Sequence, residues 1–165
     1  MADEIVEVMI EIPAGSRNKY EYDHEQHVMK LDRRLFAAMV YPADYGFVPD
    51  TLAEDDDPLD AMVLLEEPTF PGCMVRGRPL GIFWMEDEKG PDAKIICVPD
   101  FGPTFDKVDD LEHLPGHLLQ EIEHFFDTYK DLEPGKSSST AGFEGKDAAW
   151  REINAARERF RAAGH

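Results

Sequence analysis

The sequence predicts an α+β fold in which a small closed or nearly closed barrel of short strands is followed by two helices. Three observations carry that prediction. Through roughly the first hundred residues, short alternating apolar runs are interrupted by Gly- and Pro-rich turn signals. In the rest of the chain, apolar residues recur at helical intervals. A chain of 165 residues with 42% apolar composition and ten Phe can also bury a real core. No repeat and no long linker divides it, so residues 1–165 read as a single domain.

The elements follow in order. "IVEVMIEI" alternates, placing Val6, Val8, Ile10 and Ile12 on one face and Glu7, Met9 and Glu11 on the other. "KYEYD" places Lys19, Glu21 and Asp23 on one face and Tyr20 and Tyr22 on the other. Further strands are expected at 28–31, 37–41, 61–65, 80–86 and 94–98, with "PAGSRN", "PADYGFVPD", "EPTFPGC" and "EDEKGPD" as breaks. From Gly116 to Tyr129, the residues Leu118, Leu119, Ile122, Phe125, Phe126 and Tyr129 form a single helical stripe. "EPGKSSSTAGFEG" reads as a loop. A last helix over 146–162 carries Ala149, Ile153, Ala156 and Phe160 on one side.

Charge narrows the function. The formal net charge is −18, from 35 acidic and 17 basic residues. Such a balance argues against nucleic acid and anionic membranes as partners and favours divalent cations. "MADEIVEVMI" has neither a basic n-region nor an apolar h-region, and no run of 18 apolar residues occurs. Cys73 and Cys97 are far apart in sequence and form no CxxC, as expected of reduced core thiols in a cytoplasmic protein. His113 and His117, with Pro115 between them, read as solvated polar face rather than a zinc site, and His24 and His27 fall in a turn.

The acids are the informative feature. In "DDDPLDA", an extended backbone points Asp55 and Asp57 the same way, and a turn at Pro58 brings Asp60 round to them. Three converging carboxylates repel unless a cation neutralises them, and all-oxygen ligands select hard ions such as Mg²⁺, Mn²⁺ or Ca²⁺. An EF-hand does not fit, because Leu59 and Asp60 stand where the loop needs a ligand and a glycine. In "MEDEKGPDAK", Asp87 ends one strand and Asp92 opens the next, so a hairpin holds them side by side, with Lys94 in the parity of Asp92. Acids in excess of what one ion needs suggest a multi-metal site. The scarce cations Lys19, Arg33 and Lys130 lie close to predicted element ends or acids, which suits a polyanion gripped by metals on one side and Lys/Arg on the other.

At this point the residues resemble a known family. "EIPAGSRNKYEYD", "YPADYGFVPDTL", "DDDPLDA", "MEDEKGPDAK" and "HFFDTYKDLEPGK" occur in the order and spacing of soluble family I inorganic pyrophosphatases, most like actinobacterial members, over residues 5–162. "DDDPLDA" fits the family signature D-x-D-P-x-D-x. The resemblance implies an OB-like five-stranded Greek-key barrel with two flanking C-terminal helices. It implies Mg²⁺-dependent hydrolysis of inorganic pyrophosphate to two orthophosphates, several ions per subunit with Mn²⁺ or Zn²⁺ as possible substitutes, and a homo-oligomer, a hexamer in bacterial members. By position, Asp55, Asp60 and Asp92 match ligands of the metal pair that activates water, Asp60 bridging. Asp57 matches the base, a role also assigned to the position of Asp92. Asp87, with Asp92, matches the site for metals arriving with substrate, and Glu11 and Glu21 match outer acids. Lys19, Arg33, Tyr45, Tyr129 and Lys130 match phosphate-holding groups. Lys94 matches a lysine beside the metal acids, and Tyr41 a second tyrosine of the site.

"KSSSTAGF" departs from the aromatic and apolar run of many relatives and is expected to loosen the approach to the last helix. "HEQH" replaces a turn that commonly contains glycine. Neither departure touches a matched ligand. Two rival readings stand beside the family's: a non-catalytic cation-binding protein of the same fold, and a metal-dependent phosphohydrolase for nucleotides or phosphate esters.

Overall fold

Alternation in "VEVMIEI" builds β1 (Val6–Ile12), whose Val6, Val8, Ile10 and Ile12 are all buried as expected. The computed structural model describes residues 4–164; the opening three residues, which belong to "MADEIVEVMI", and His165, the last residue of the predicted domain, lie outside it. After β1 come β2 (Asn18–Asp23), β3 (Val28–Arg34), β4 (Asp44–Phe47), β5 (Asp60–Val63), β6 (Met74–Asp87), β7 (Gly90–Pro91) and β8 (Lys94–Pro99). Then follow α1 (Gly116–Thr128), β9 (Ser138–Gly145) and α2 (Lys146–Ala162).

Five of these strands close a ring. β1 pairs with β4, β4 with β5, β5 with β8, β8 with β6, and β6 returns to β1. This is the five-stranded barrel expected, with the two helices following it. Its one parallel contact among the five, β5 with β8, is buried on both faces: every residue of β8 is inside. Register shifts at Ile10/Ile12 and Pro79/Gly81 bend the strands where the ring must turn. At the β1–β4 crossing the backbones nearly touch, since a Cβ on Gly46 would lie 1.7 Å from the Met9 carbonyl oxygen. Asp44 secures the same corner, its buried carboxylate accepting from the Ala14 N–H, the Thr69 N–H and the Thr69 hydroxyl.

Two apolar clusters hold the helices to the barrel. Ile122, Phe125 and Phe126 of α1 pack with Tyr45, Met62, Phe83 and Ile96, while Leu118 and Leu119 lie at the margin. Ala149, Ile153 and Ala156 of α2 pack with Val8, Ile10, Ile82 and Ile95. The predicted α1 stripe therefore faces the core, as do Ala149, Ile153 and Ala156 of the predicted α2 stripe, whereas its fourth member, Phe160, is only half-buried. None of the helices among the described residues is long and apolar enough to cross a membrane. Cys73 and Cys97 are free thiols, and Cys97 is buried.

The structure corrects four local expectations. Residues 37–41 form no strand; Gly15 donates to Tyr41 O and Tyr41 to Ser16 O, so this stretch bonds to the β1–β2 loop instead of a ladder. β4 lies inside the segment read as a break, because its Gly46 is there for close packing and not for a turn. β6 begins at Met74, earlier than 80, for Gly77 and Pro79 disguise its first half. Finally, most of the expected loop 133–145 is β9, paired with β6 from Gly81 to Asp87. The serines do not loosen it: Ser138 Oγ donates to the Phe126 carbonyl, 2.7 Å away.

Candidate active site

One chamber of about 310 Å³ opens where several strand ends meet the turn after α1. Glu11 reaches it from β1, Lys19 and Glu21 from β2, and Arg33 from β3. Tyr41 comes from the loop before β4, Tyr45 from β4, and Asp55 and Asp57 from the connection to β5. Asp60 is the first residue of β5, Asp87 the last of β6, and Asp92 and Lys94 stand at the entry to β8. Tyr129 and Lys130 follow α1 directly. All fourteen residues selected from the sequence thus line this chamber.

Register explains the closest neighbours. Asp60 pairs with Lys94 in the parallel β5–β8 ladder, and Lys19 with Arg33 in the β2–β3 hairpin. The hairpin predicted from the sequence forms, but its turn is at Glu88 and Lys89, and Gly90–Pro91 is strand β7. Asp92 N–H donates to Met85 O (2.8 Å), so Asp92 stands opposite Met85, two residues along β6 from Asp87. The "DDD" segment is not extended. Asp56 takes φ 66°, a conformation Asp tolerates, and Asp57 N–H donates to Asp55 Oδ1 (3.1 Å), so a tight turn presents Asp55 and Asp57.

Lys94 organises the floor. It is 1% exposed, and its Nζ donates to Tyr45 Oη (2.6 Å), Asp92 Oδ2 (3.0 Å) and Asp60 Oδ2 (3.1 Å). Tyr45 in turn donates to Asp60 Oδ2 (2.5 Å). Burial alone would discharge Lys94, but the carboxylates of Asp92 and Asp60 outweigh it and hold its pKa above the usual lysine range. At the rim, Lys130 Nζ stands 3.4 Å from Glu88 Oε1 and 3.5 Å from Asp87 Oδ2. Arg33 Nη1 lies 2.6 Å from Asp32, which also meets Lys19 at 3.0 Å.

The acids outnumber their partners. Nine carboxylates and six Lys or Arg side chains line the chamber. Burial first, with Asp60 and Asp87 adding to it against the pull of Lys94, pushes Asp92 up to about 6. Burial, with the field of Asp60, pushes Glu11 up to about 8, although the Tyr22 N–H at 2.8 Å favours its charged form. Asp55 is raised by burial and by the charges of Asp92, Asp57 and Asp87. Hard oxygen donors crowded until their charges are unfavourable suit a hard divalent cation. As they stand, among the described residues, no three acids, histidines or cysteines are drawn together tightly enough to cage an ion.

Asp32, Glu88, Lys89, Lys136 and His24 also line the chamber and were not selected from sequence. Asp32 was hidden by a bulge. The hairpin pairs Lys19 with Arg33 and Tyr20 with Leu31, so Asp32 is skipped and can meet Lys19 and Arg33 despite its strand parity. His113 and His117 are exposed and paired with Asp109 and Glu121, away from this chamber, as expected of a solvated face.

Barrel and chamber together define a site at strand ends in which hard oxygen donors outnumber the Lys and Arg side chains that stand among them. Comparison with known proteins gives the family. Residues 8–161 match the family model described as Pyrophosphatase: Inorganic pyrophosphatase. The chain is 55% identical over 157 residues to an inorganic pyrophosphatase of Methanosarcina acetivorans, covering 95% of this chain and 93% of that one. It is 53% identical over 158 residues to the enzyme of the actinobacterium Streptomyces coelicolor, covering 96% and 97%. The fold matches the crystal structure of the Thermus thermophilus inorganic pyrophosphatase with a TM-score of 0.94 at 48% identity, over 97% of this chain and 93% of that one. The chain belongs to the inorganic pyrophosphatase family.

Proposed function

We propose that the chamber hydrolyses inorganic pyrophosphate to two orthophosphates with Mg²⁺, as a single-domain cytoplasmic enzyme that draws biosynthetic reactions forward. The observation that carries this reading is the convergence of Asp55, Asp57, Asp60, Asp87 and Asp92 with Lys19, Arg33 and Lys130 around one chamber, in a chain of this family. Asp55, Asp60 and Asp92 would hold the ions that belong to the protein. Asp87, with Asp92, would hold those that accompany substrate, and Glu11 and Glu21 would support them from further out. Bound Mg²⁺ supplies Lewis acidity, lowering the pKa of a water toward neutrality and neutralising phosphate oxygens.

The chain's own groups do the rest. Asp57 accepts the proton of the attacking water; Asp92 is the alternative acceptor. Asp57 is exposed at the mouth, where a water can reach it. Lys19, Arg33, Tyr45, Tyr129 and Lys130 hold the two phosphoryl groups and balance the charge that develops on the leaving phosphate. Burial raises the Tyr45 and Tyr129 hydroxyls well above and above their usual range respectively, so both stay protonated, Tyr45 with its one proton on Asp60 Oδ2 in this structure. Lys94 and Tyr41 shape the floor. Mn²⁺ or Zn²⁺ are possible substitutes for Mg²⁺.

The test is release of orthophosphate from pyrophosphate, with nucleoside triphosphates and phosphate monoesters as competing substrates. Turnover confined to pyrophosphate under Mg²⁺ is expected; preference for a nucleotide would overturn the assignment. The chain also assembles as a homohexamer, which light scattering checks: a monomer mass at working concentrations contradicts it.

A further inference from the structure

We propose that Glu133 is a positioning residue: it fixes the Arg33 guanidinium, and with it the turn after α1, in the orientation that receives phosphate. The inference rests on the reading of Arg33 as a phosphate-binding group. Glu133 is 5% exposed and is not among the chamber-lining residues, so it does not meet the substrate itself. Its Oε1 stands 2.8 Å from Arg33 Nε and 3.7 Å from Lys136 Nζ. Its Oε2 is buried and has no hydrogen-bond partner among the described residues, and the same holds for Arg33 Nε. The contact is thus an ion pair between buried charges and not a well-directed hydrogen bond.

A carboxylate buried with one oxygen unmet costs stability, and the local backbone does not require one. Glu133 N–H donates to Lys130 O (2.9 Å) and its carbonyl accepts from Lys136 N–H (3.3 Å), bonds that any residue could make. What the side chain adds is a tie between two separate pieces of the chamber wall. Arg33 comes from the β2–β3 hairpin, a sheet apart from the barrel. Tyr129, Lys130 and Lys136 come from the turn that carries Glu133. Held near Nε by Glu133 and at Nη1 by Asp32, the guanidinium plane is set by two anions. Recognition of a tetrahedral anion through parallel N–H groups needs such a fixed plane.

The experiment compares wild type, Glu133→Gln, Glu133→Asp, Arg33→Ala and the Arg33→Ala/Glu133→Gln double variant. The readouts are calorimetric binding of inorganic phosphate with Mg²⁺, KM and kcat for pyrophosphate, and Tm. Glu133→Gln is expected to weaken phosphate and raise KM by about tenfold, the loss of one charge-assisted contact, with kcat changed far less. Glu133→Asp recovers part of that loss, and carries the comparison if the Gln variant does not fold. In the Arg33→Ala background, Glu133→Gln changes affinity by less than about twofold, because the group it positions is gone. Unchanged phosphate affinity in Glu133→Gln, with Arg33→Ala weakened, overturns this inference alone. Losses that multiply in the double variant overturn it as well. Unchanged affinity in Arg33→Ala overturns the reading of Arg33 itself, and this inference with it.

Discussion

Lys94 carries a full charge at 1% exposure, and the two carboxylates within 3.1 Å of it make that tolerable. The arrangement is mutual. Without the lysine, Asp60 and Asp92 face each other across the floor uncompensated. Lys94→Met, which keeps the bulk and removes the charge, is therefore expected to cost about 3 kcal/mol in metal-free protein, near the low end for breaking a buried pair. Urea unfolding in EDTA measures it, and an unchanged midpoint would mean that the acids do not feel the lysine. At this scale spacing alone pointed to Asp55, Asp57, Asp60, Asp87 and Asp92, and the family resemblance supplied the tyrosines and the remaining acids. Asp32 and Glu133 escaped both. A strand bulge reverses the first residue's parity, and the second acts from behind the chamber wall, where no sequence interval marks it.

Among the elements, legibility follows the period of the side chains. β1, α1 and α2 announce themselves because one face of each is continuously apolar and lies on the core. β9 is held to β6 by backbone pairing along an edge, so "SSSTAGF" carries little apolar alternation to read. β4 carries a glycine that looks like punctuation and is a steric requirement. Gly46→Ala tests that difference, since its Cβ would overlap the Met9 carbonyl at the crossing with β1. The variant should lose about 3 kcal/mol or more, at or beyond the upper range for overpacking, and chemical denaturation reads the loss directly. A variant as stable as wild type would show that β1 and β4 can separate without cost. "HEQH" is legible after the fact: His27 takes φ 55°, the left-handed conformation for which glycine is commonly used.

For the whole molecule the governing quantity is charge. A net −18 is spread over the surface, yet the chamber concentrates nine carboxylates against six cations in one place. Burial, with the charges of neighbouring acids, raises several of those carboxylates above their ordinary range, a cost that a bound divalent cation would relieve. Mg²⁺ at about a hundred times its dissociation constant should add about 2.7 kcal/mol, hence roughly 5–10 °C in Tm for a chain of this size. Scanning calorimetry with and without Mg²⁺ checks this, and no shift under saturating metal would count against the chamber as a metal site. The closed barrel was readable in outline from the strand count and from the family resemblance. Which strands pair to close it was not, because pairing β5 in parallel with β8 joins segments some thirty residues apart, and no local pattern records that.

Whether these carboxylates, with metal, cleave pyrophosphate is decided by phosphate release from pyrophosphate by wild type with Mg²⁺, by wild type with EDTA, and by Asp57→Asn with Mg²⁺. Rapid release with Mg²⁺ and none with EDTA are expected. Asp57→Asn should fall by roughly 10²–10⁴-fold with the fold intact, the range for loss of a positioned base. Near-normal turnover in that variant would remove Asp57 from the base role and leave Asp92 to hold it. No release at all from folded, metal-loaded wild type would mean that this chamber does not hydrolyse pyrophosphate.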